Sequence, residues 1–195
     1  MIKNIAIFAS GSGTNAENIA NYFKTKGLIR INLIVSNKND AYVIERAKNL
    51  QIDSIVIKQS EWADSAYILG ILKKKQIDFI VLAGFLLKIP QYLIHKYENK
   101  IINIHPALLP KHGGKGMYGD HVHQAVIKAQ DKESGITIHY CNENYDEGNI
   151  IFQAKCEVSP HDTASDVAQK VHQLEYKHYP KVIEQLIIDL NRKGL

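Results

Sequence analysis

The sequence predicts an α/β fold in which helices cover both faces of an open, mostly parallel, twisted sheet. Short runs of β-branched and aromatic residues alternate with amphipathic stretches through the first half of the chain, and this alternation is typical of parallel strands joined by helices. A glycine-rich turn follows the first of these runs directly. In the second half, two strand-like segments flank a short acidic turn, which indicates antiparallel pairing. The prediction is a Rossmann-like sheet with antiparallel strands in its C-terminal half.

The first half of the chain is predicted to supply the parallel strands and their helices. The first strand is predicted around Ile5 and Phe8, and the amphipathic stretch after the glycine turn is predicted to be a helix that ends near Gly27. Strand and helix then alternate, starting and finishing with a strand. The predicted segments are residues 29–35, 41–50, 54–57, about 61–75 and 79–82.

The second half begins with one more buried strand, predicted over residues 100–105 and stopped by Pro106. A glycine-rich loop follows it. The segments 135–140 and 150–158 are then predicted to be a pair of strands around an acidic turn.

The last predicted element is a helix near the C-terminus. A variant of the capping box over residues 163–166 opens this helix, which is predicted to run towards Asn191. Pro180 lies inside it and is expected to kink or divide it. The pattern contains no internal repeat and no linker, so we expect residues 1–195 to form a single domain.

Composition and charge exclude several classes of protein. The 195 residues are 45% hydrophobic and carry a formal charge of +4, which is too mild for a nucleic-acid-binding face. No run of about 20 apolar residues is present, and the first apolar stretch is too short for a signal peptide. The two cysteines have neither a disulfide framework nor a zinc-like spacing. We therefore expect a cytoplasmic protein with no membrane or nucleic-acid partner.

The glycine turn predicts a phosphate site. Residues 11–16 satisfy the pattern G-x-G-x-x-A between a strand and a helix, where backbone N–H groups and the helix dipole attract an anion. A dinucleotide site would require an acidic residue at the end of the second strand. The first acid there is Asp40, although Lys38 would suit a phosphorylated ribose. The simpler alternative is an ordinary glycine turn in which Thr14 or Asn15 only caps the helix.

Asn103 and His105 are polar exceptions in the segment predicted to be a buried strand. Residues two apart on a strand face the same side, and ligands of open α/β sheets lie beyond the carboxyl ends of the strands. Pro106 restricts the backbone of His105 to an extended conformation. The alternative is a core histidine with satisfied hydrogen bonds. We favour a catalytic pair, because polar groups in a core require a reason.

Such a pair suits acyl transfer. The amide of Asn103 can stabilise an oxyanion, and a protonated His105 can stabilise it too or carry the proton. No serine or cysteine lies in a nucleophile elbow, so direct attack by a substrate amine is the simpler scheme. A carboxylate would then orient the histidine and raise its pKa. The acidic turn offers Glu143, Asp146 and Glu147, and the pattern alone does not choose among them.

Four segments together resemble the phosphoribosylglycinamide formyltransferase family. They are S-G-S-G-T-N at residues 10–15, L-A-G-F at 82–85, N-I-H-P-A-L-L-P at 103–110 and D-E-G at 146–148. The third string is typical of the wider formyltransferase superfamily, and the first is typical of this member. The resemblance implies a Rossmann-like enzyme of purine biosynthesis that formylates glycinamide ribonucleotide with 10-formyltetrahydrofolate as co-substrate.

The resemblance also implies roles for individual residues. Asn103 and His105 would be catalytic, with Asp146 as the carboxylate that raises the histidine pKa. The substrate phosphate would bind at Gly13, Thr14 and Asn15, and Glu175 would contact the nucleotide. The folate pocket, which Asn103 also borders, would be walled by Leu86, Leu87, Lys88 and Ile89. No metal is expected, and the protein would be a monomer or a homodimer.

The sequence departs from the family pattern in the loop after the third string. Residues 111–120 form a longer, glycine-rich link, which is either a mobile flap over the site or an ordinary surface insertion. Leu87 stands where a basic residue is common, which weakens the expected polar contacts to the folate. His121 and His123 form an H-x-H pair, which we interpret as non-metal for want of a third ligand.

Other functions compete with the transferase. A formyltetrahydrofolate hydrolase would use the same residues with water as nucleophile, but it carries an additional N-terminal domain. Methionyl-tRNA formyltransferase would need a further C-terminal domain. A non-catalytic nucleotide-binding module would leave the Asn, His and Asp unexplained, and a dehydrogenase lacks its ribose-binding acid.

Overall fold

A seven-stranded sheet forms the centre of the structure, a computed structural model that describes residues 2–192. In chain order the strands are β1 (Lys3–Phe8), β2 (Ile29–Ser36), β3 (Ser54–Val56), β4 (Phe79–Leu82), β5 (Ile101–His105), β6 (Glu133–Tyr140) and β7 (Ile150–Glu157). The helices are α1 (Thr14–Phe23), α2 (Val43–Asn49), α3 (Ser65–Lys74), α4 (Gln91–Lys96), α5 (Asp120–Lys128) and α6 (Ala164–Arg192). None of the helices described over residues 2–192 combines the length and the apolar character that crossing a bilayer requires.

The strand order is β3-β2-β1-β4-β5-β6-β7. Strands β1 to β5 pair in parallel, whereas β6 is antiparallel to both β5 and β7. The predicted sheet, with its antiparallel C-terminal half, is confirmed. The chain leaves β1 towards β2 and later returns to its other side with β4, so a crevice opens at the carboxyl ends of these two strands. Open α/β sheets bind their ligands at such a switch point.

Alternate residues of each central strand fill two cores, one on each face of the sheet. In β1, Ile5 and Ile7 face the core that α1 and α6 cover, and Ala6 and Phe8 face the core that α3 and α4 cover. These four side chains are fully buried. Because a strand buried on both faces has no polar side, residues 5–8 of β1 are a continuous apolar run in the sequence.

Three helical segments differ from the prediction. The helix predicted over 61–75 is a 3₁₀ turn at Gln59–Ala63 followed by α3, because the Asp64 carboxylate accepts the backbone N–H of Tyr67 and caps a new helix start. The short helices α4 and α5 were not predicted. Each has fewer than ten residues, so its periodic signal is weak.

Pro180 does not divide α6, so this part of the prediction is wrong. A proline inside a helix leaves the carbonyl four residues earlier without its N–H partner. That carbonyl belongs to Tyr176, and the side-chain amide of Asn18 from α1 donates to it at 3.0 Å. The helix therefore continues because a neighbouring helix supplies the missing donor. The predicted capping box is present at its start, where Thr163 and Asp166 exchange hydrogen bonds.

Candidate active site

A cavity of about 680 Å³ lies at the carboxyl ends of β1, β4 and β5. Its walls are residues 10–15, 82–89, 103–106, 114–120 and 144–146, together with Lys38, His123, His139, Cys141, Asn142, His172 and Glu175. Every residue that the sequence analysis assigned to a site lines this one cavity. Catalytic, phosphate-binding and folate-binding candidates, which are far apart in the chain, are therefore brought together in the fold.

The glycine turn places the N-terminus of α1 against the cavity. Gly13 is the N-cap of this helix and has a φ of 74°, a left-handed conformation that favours glycine. A Cβ atom at this position would collide with the side chain of Val43 on α2. No side chain caps the helix, so the alternative that Thr14 or Asn15 serves as a cap is wrong. The turn leaves the positive end of the helix dipole facing the cavity.

Glu175 forms a polar corner beside this turn. Its Oε2 accepts a hydrogen bond from Nδ2 of Asn15 at 2.9 Å and lies 2.8 Å from Nδ1 of His172. The side chain of Glu175 is only 6% exposed, and a carboxylate so buried needs such partners. The bond to Glu175 raises the pKa of His172. His172 was missed at the sequence level, although it lies one helical turn before Glu175 on α6.

His105 ends β5 and is buried. Its Nε2 lies 2.8 Å from the backbone carbonyl of His112, and a carbonyl only accepts hydrogen bonds, so Nε2 carries a hydrogen. Its Nδ1 lies 3.5 Å from Oδ2 of Asp146. In neutral His105, Nδ1 therefore holds the lone pair. This nitrogen is the one that gains and loses a proton.

Burial and charge act in opposite directions on His105. Burial lowers its pKa below the ordinary value, whereas the charge of Asp146 and the hydrogen bond to His112 raise it. Asp146 raises the pKa of His105, as the sequence analysis expected, but the effect of burial on this pKa is larger. For Asp146 itself, burial raises the pKa, and the imidazoles of His139 and His105 and the Gly114 N–H together bring it below its ordinary value. Asp146 is therefore ionised beside a largely neutral His105 at neutral pH.

His139 is a site residue that the sequence analysis missed. It lies directly opposite Asn103 in the β5–β6 ladder. Its Nδ1 lies 2.9 Å from the carbonyl of Tyr140 and therefore carries a hydrogen. Its Nε2 lies 3.2 Å from the amide nitrogen of Asn103 and 3.6 Å from Oδ1 of Asp146. This contact orients the side-chain amide of Asn103, which lines the cavity. A signal was present in the sequence, because Thr137 and His139 break the apolar run of β6.

The segment after β4 forms the opposite wall. Its backbone is fixed by Ser10, whose hydroxyl accepts the N–H of Leu86 at 2.9 Å and donates to Asn37 at 2.6 Å. Leu86 is exposed and Ile89 is buried, and Leu87 packs against the second core. The ammonium group of Lys88 lies 5.8 Å from the ring centre of Tyr145 across the cavity. This wall is mainly apolar, in contrast to the polar corner around Glu175.

The glycine-rich segment between β5 and α5 forms part of the cavity wall. The Gly114 N–H donates to Oδ2 of Asp146 at 3.0 Å, so this loop contacts the predicted catalytic carboxylate directly. His123, on α5, is buried in the cavity wall, whereas His121 is exposed. Over residues 2–192, no three histidine, cysteine or acidic side chains are grouped so that they could hold a metal ion.

Comparison with known proteins identifies the family. The family model of the formyl transferases matches residues 3–183. The phosphoribosylglycinamide formyltransferase of Bacillus subtilis (strain 168) is 39% identical over 198 residues, which cover 99% of this chain and 98% of that protein. The chloroplastic protein of that name from Arabidopsis thaliana is 37% identical, and this chain spans 64% of its length.

Solved structures give the same result. Glycinamide ribonucleotide transformylase 1 from Geobacillus kaustophilus has a TM-score of 0.87 at 35% identity, with 96% of this chain and 100% of that chain covered. The phosphoribosylglycinamide formyltransferase from Bacillus halodurans has a TM-score of 0.85 at 36% identity, with 96% and 95% covered. The chain therefore belongs to the phosphoribosylglycinamide formyltransferases, a group of transferases within the formyl transferase family.

Proposed function

We propose that this protein transfers the formyl group of 10-formyltetrahydrofolate to the amine of N1-(5-phosphoribosyl)glycinamide. The products are formylglycinamide ribonucleotide and tetrahydrofolate, in de novo purine biosynthesis. The observation that carries the proposal is the convergence of Asn103, His105 and Asp146 at the carboxyl end of β5, within the same cavity as the N-terminus of α1. The names of the relatives support the same reaction.

The two halves of the cavity suit the two substrates. The ribonucleotide phosphate would bind at Gly13, Thr14 and Asn15, where the positive end of the α1 dipole attracts an anion. Glu175 would contact the ribonucleotide from the neighbouring corner. The folate would lie along residues 86–89, whose apolar side chains suit a flat aromatic ring system.

The catalytic residues would act on the amine proton and the developing oxyanion. As the glycyl nitrogen bonds to the formyl carbon, neutral Nδ1 of His105 accepts the amine proton, and the N–H of Asn103 stabilises the oxyanion. Asp146 stabilises the imidazolium that forms. His105, now protonated, also faces the oxyanion. It then delivers its proton to N10 of the folate as the bond from N10 to the formyl carbon breaks.

The scheme uses neither a metal ion nor a covalent enzyme intermediate. We propose that the partners are these small molecules alone, with no nucleic acid and no membrane, and that the protein acts as a monomer or a homodimer. Its two cysteines are free thiols, which suits the reducing cytoplasm that we propose as its location.

The test is to mix the protein with a 10-formyl folate and follow the deformylated folate by absorbance, with and without glycinamide ribonucleotide. Release only when the ribonucleotide is present supports the transferase. Release without it supports the hydrolase, and no release supports the nucleotide-binding module. The His105→Ala variant, purified in the same way, measures any activity of contaminating enzymes, because the proposal predicts that it is almost inactive.

A further inference from the structure

The loop after β5 contacts both His105 and Asp146 through its backbone. The carbonyl of His112 accepts a hydrogen bond from Nε2 of His105 at 2.8 Å, and two residues later the N–H of Gly114 donates to Asp146 at 3.0 Å. These contacts use backbone atoms, so their geometry depends on whatever holds the loop in place.

Asp131 holds this loop from outside the cavity. It lies between α5 and β6, and its two carboxylate oxygens bind two consecutive side chains of the loop. Oδ2 lies 2.6 Å from Nε2 of His112, and Oδ1 lies 2.8 Å from Nζ of Lys111. The side chains of His112 and Asp131 are 16% and 15% exposed, whereas Lys111 is 69% exposed. The pair between Asp131 and His112 is therefore the better shielded of the two contacts.

The backbone conformation of His112 is unfavourable, so contacts such as the one with Asp131 are needed to hold it. His112 has a φ of 54°, a left-handed conformation that a residue with a side chain adopts only against an energetic penalty. In this conformation its side chain contacts Asp131 and its carbonyl accepts a hydrogen bond from His105. Asp131, His112 and His105 thus form one chain of contacts that ends at Nε2 of the His105 imidazole.

We propose that Asp131 and His112 are positioning residues that fix the tautomer of His105. While Asp131 holds His112, the His112 carbonyl keeps the hydrogen of neutral His105 on Nε2 and leaves the lone pair on Nδ1, the nitrogen nearest to Asp146. This inference rests on the proposed function for its catalytic consequence. Its structural content, the tautomer of His105, does not depend on any substrate.

The test compares Asp131→Asn with two control variants. Asn is the same size as Asp but lacks the negative charge that strengthens the contact with His112. Lys111→Met removes the exposed partner of Asp131 and leaves the His112 contact in place. Glu133→Gln removes a nearby surface carboxylate whose partner is Lys155. Thermal melting of each variant shows that it is folded.

The direct measurement is the ¹⁵N spectrum of the imidazole groups in the free protein, above the pKa of His105. The His105→Gln variant assigns the His105 signals by their absence. We expect the Nε2–H tautomer in the wild type and in both controls, and a mixture of the two tautomers in Asp131→Asn. A wild-type tautomer in Asp131→Asn overturns the proposal.

Steady-state kinetics then test the catalytic consequence. Loss of one positioning hydrogen bond should lower kcat about three- to tenfold in Asp131→Asn, with KM for both substrates little changed. His112→Ala combined with Asp131→Asn should lose no more than the worse single variant, because both act through one contact. The proposal is overturned if the kcat losses of the two single variants multiply in the double variant. It is also overturned if Glu133→Gln loses as much kcat as Asp131→Asn.

The two proposals fail in different ways. If the wild-type protein transfers no formyl group, but Asp131→Asn still shows a mixture of His105 tautomers, the proposed function is refuted and the positioning role is supported. An active wild type with an unaltered tautomer in Asp131→Asn refutes the positioning role alone.

Discussion

Oδ2 of Asp146 lies 3.5 Å from Nδ1 of His105, which is close enough for strong electrostatic attraction but longer than an ordinary hydrogen bond. The carboxylate therefore has its greatest effect when His105 becomes protonated during the reaction. We predict that Asp146→Asn lowers kcat by about 100-fold or more and leaves KM for both substrates little changed. Steady-state kinetics measure this split, and a loss confined to KM would contradict the assigned role.

The same substitution should change the titration of His105. The charge of Asp146 raises the pKa of His105, while burial lowers it, so removing the charge leaves burial less opposed. We expect the His105 pKa to lie below its ordinary value in the wild type and to fall further in Asp146→Asn. Imidazole proton signals followed by NMR against pH measure both values. Glu147→Gln, in the same exposed turn, is the control and should leave the titration unchanged.

Asn103 is predicted to stabilise the oxyanion through the amide N–H that is not used by His139. Removal of one oxyanion donor typically lowers kcat by about 100- to 1000-fold, and we expect this loss for Asn103→Ala. Binding of both substrates, measured by calorimetry, should change much less than kcat. If binding weakens as much as turnover, Asn103 contributes to ground-state affinity and not to the transition state.

Local patterns in the sequence predict the sheet, and within the candidate site they indicate the glycine turn and the pair of Asn103 and His105. The choice of Asp146 and Glu175 came from the family resemblance instead. The period-two placement of Asn103 and His105 is visible within one strand, and the glycine turn is visible within six residues. His139 was missed because its meeting with Asn103 depends on the register of β5 against β6, which no local pattern specifies.

Tertiary contacts explain the other differences from prediction. Pro180 does not divide its helix, because Asn18 from another helix donates to the carbonyl that the proline leaves unpaired. The contact between His105 and the His112 carbonyl depends on a loop conformation with positive φ at a residue that is not glycine. Residue types alone did not indicate it, because the contact is made by the backbone.

Two buried histidines should make the fold sensitive to acid. Burial is the main reason why the pKa values of His105 and His123 lie below the ordinary value. The unfolded chain then binds protons that the folded chain excludes, so this stability is complete above about pH 6.5 and is lost as the pH falls below it. His172 acts in the opposite direction, because the hydrogen bond to Glu175 raises its pKa.

Urea unfolding at pH 7.5 and pH 5.5 measures this effect. We expect a lower free energy of unfolding at pH 5.5, and a smaller difference between the two pH values in His123→Asn, because that variant lacks one of the two groups. His121→Asn, an exposed position on the same helix, is the matched control. Equal differences in His123→Asn and the wild type would show that His123 does not contribute.

Gly13 should be intolerant of any side chain, for two independent reasons. Its φ of 74° disfavours residues with a Cβ atom, and that Cβ would collide with Val43. We predict that Gly13→Ala lowers the free energy of unfolding by about 2–4 kcal/mol, the sum of overpacking and backbone strain. Gly27→Ala is the control, because nothing lies within 4 Å of a Cβ atom at Gly27.

The displaced turn in Gly13→Ala should also weaken the binding of one substrate more than that of the other. If the ribonucleotide phosphate binds at this helix N-terminus, KM for glycinamide ribonucleotide rises while KM for the formyl folate, which we propose binds along residues 86–89, changes little. Kinetics in a buffer where the variant remains folded separate this effect from the loss of stability. An equal rise in both KM values would indicate a general distortion of the cavity. An unchanged KM for the ribonucleotide would show that its phosphate does not bind at this turn.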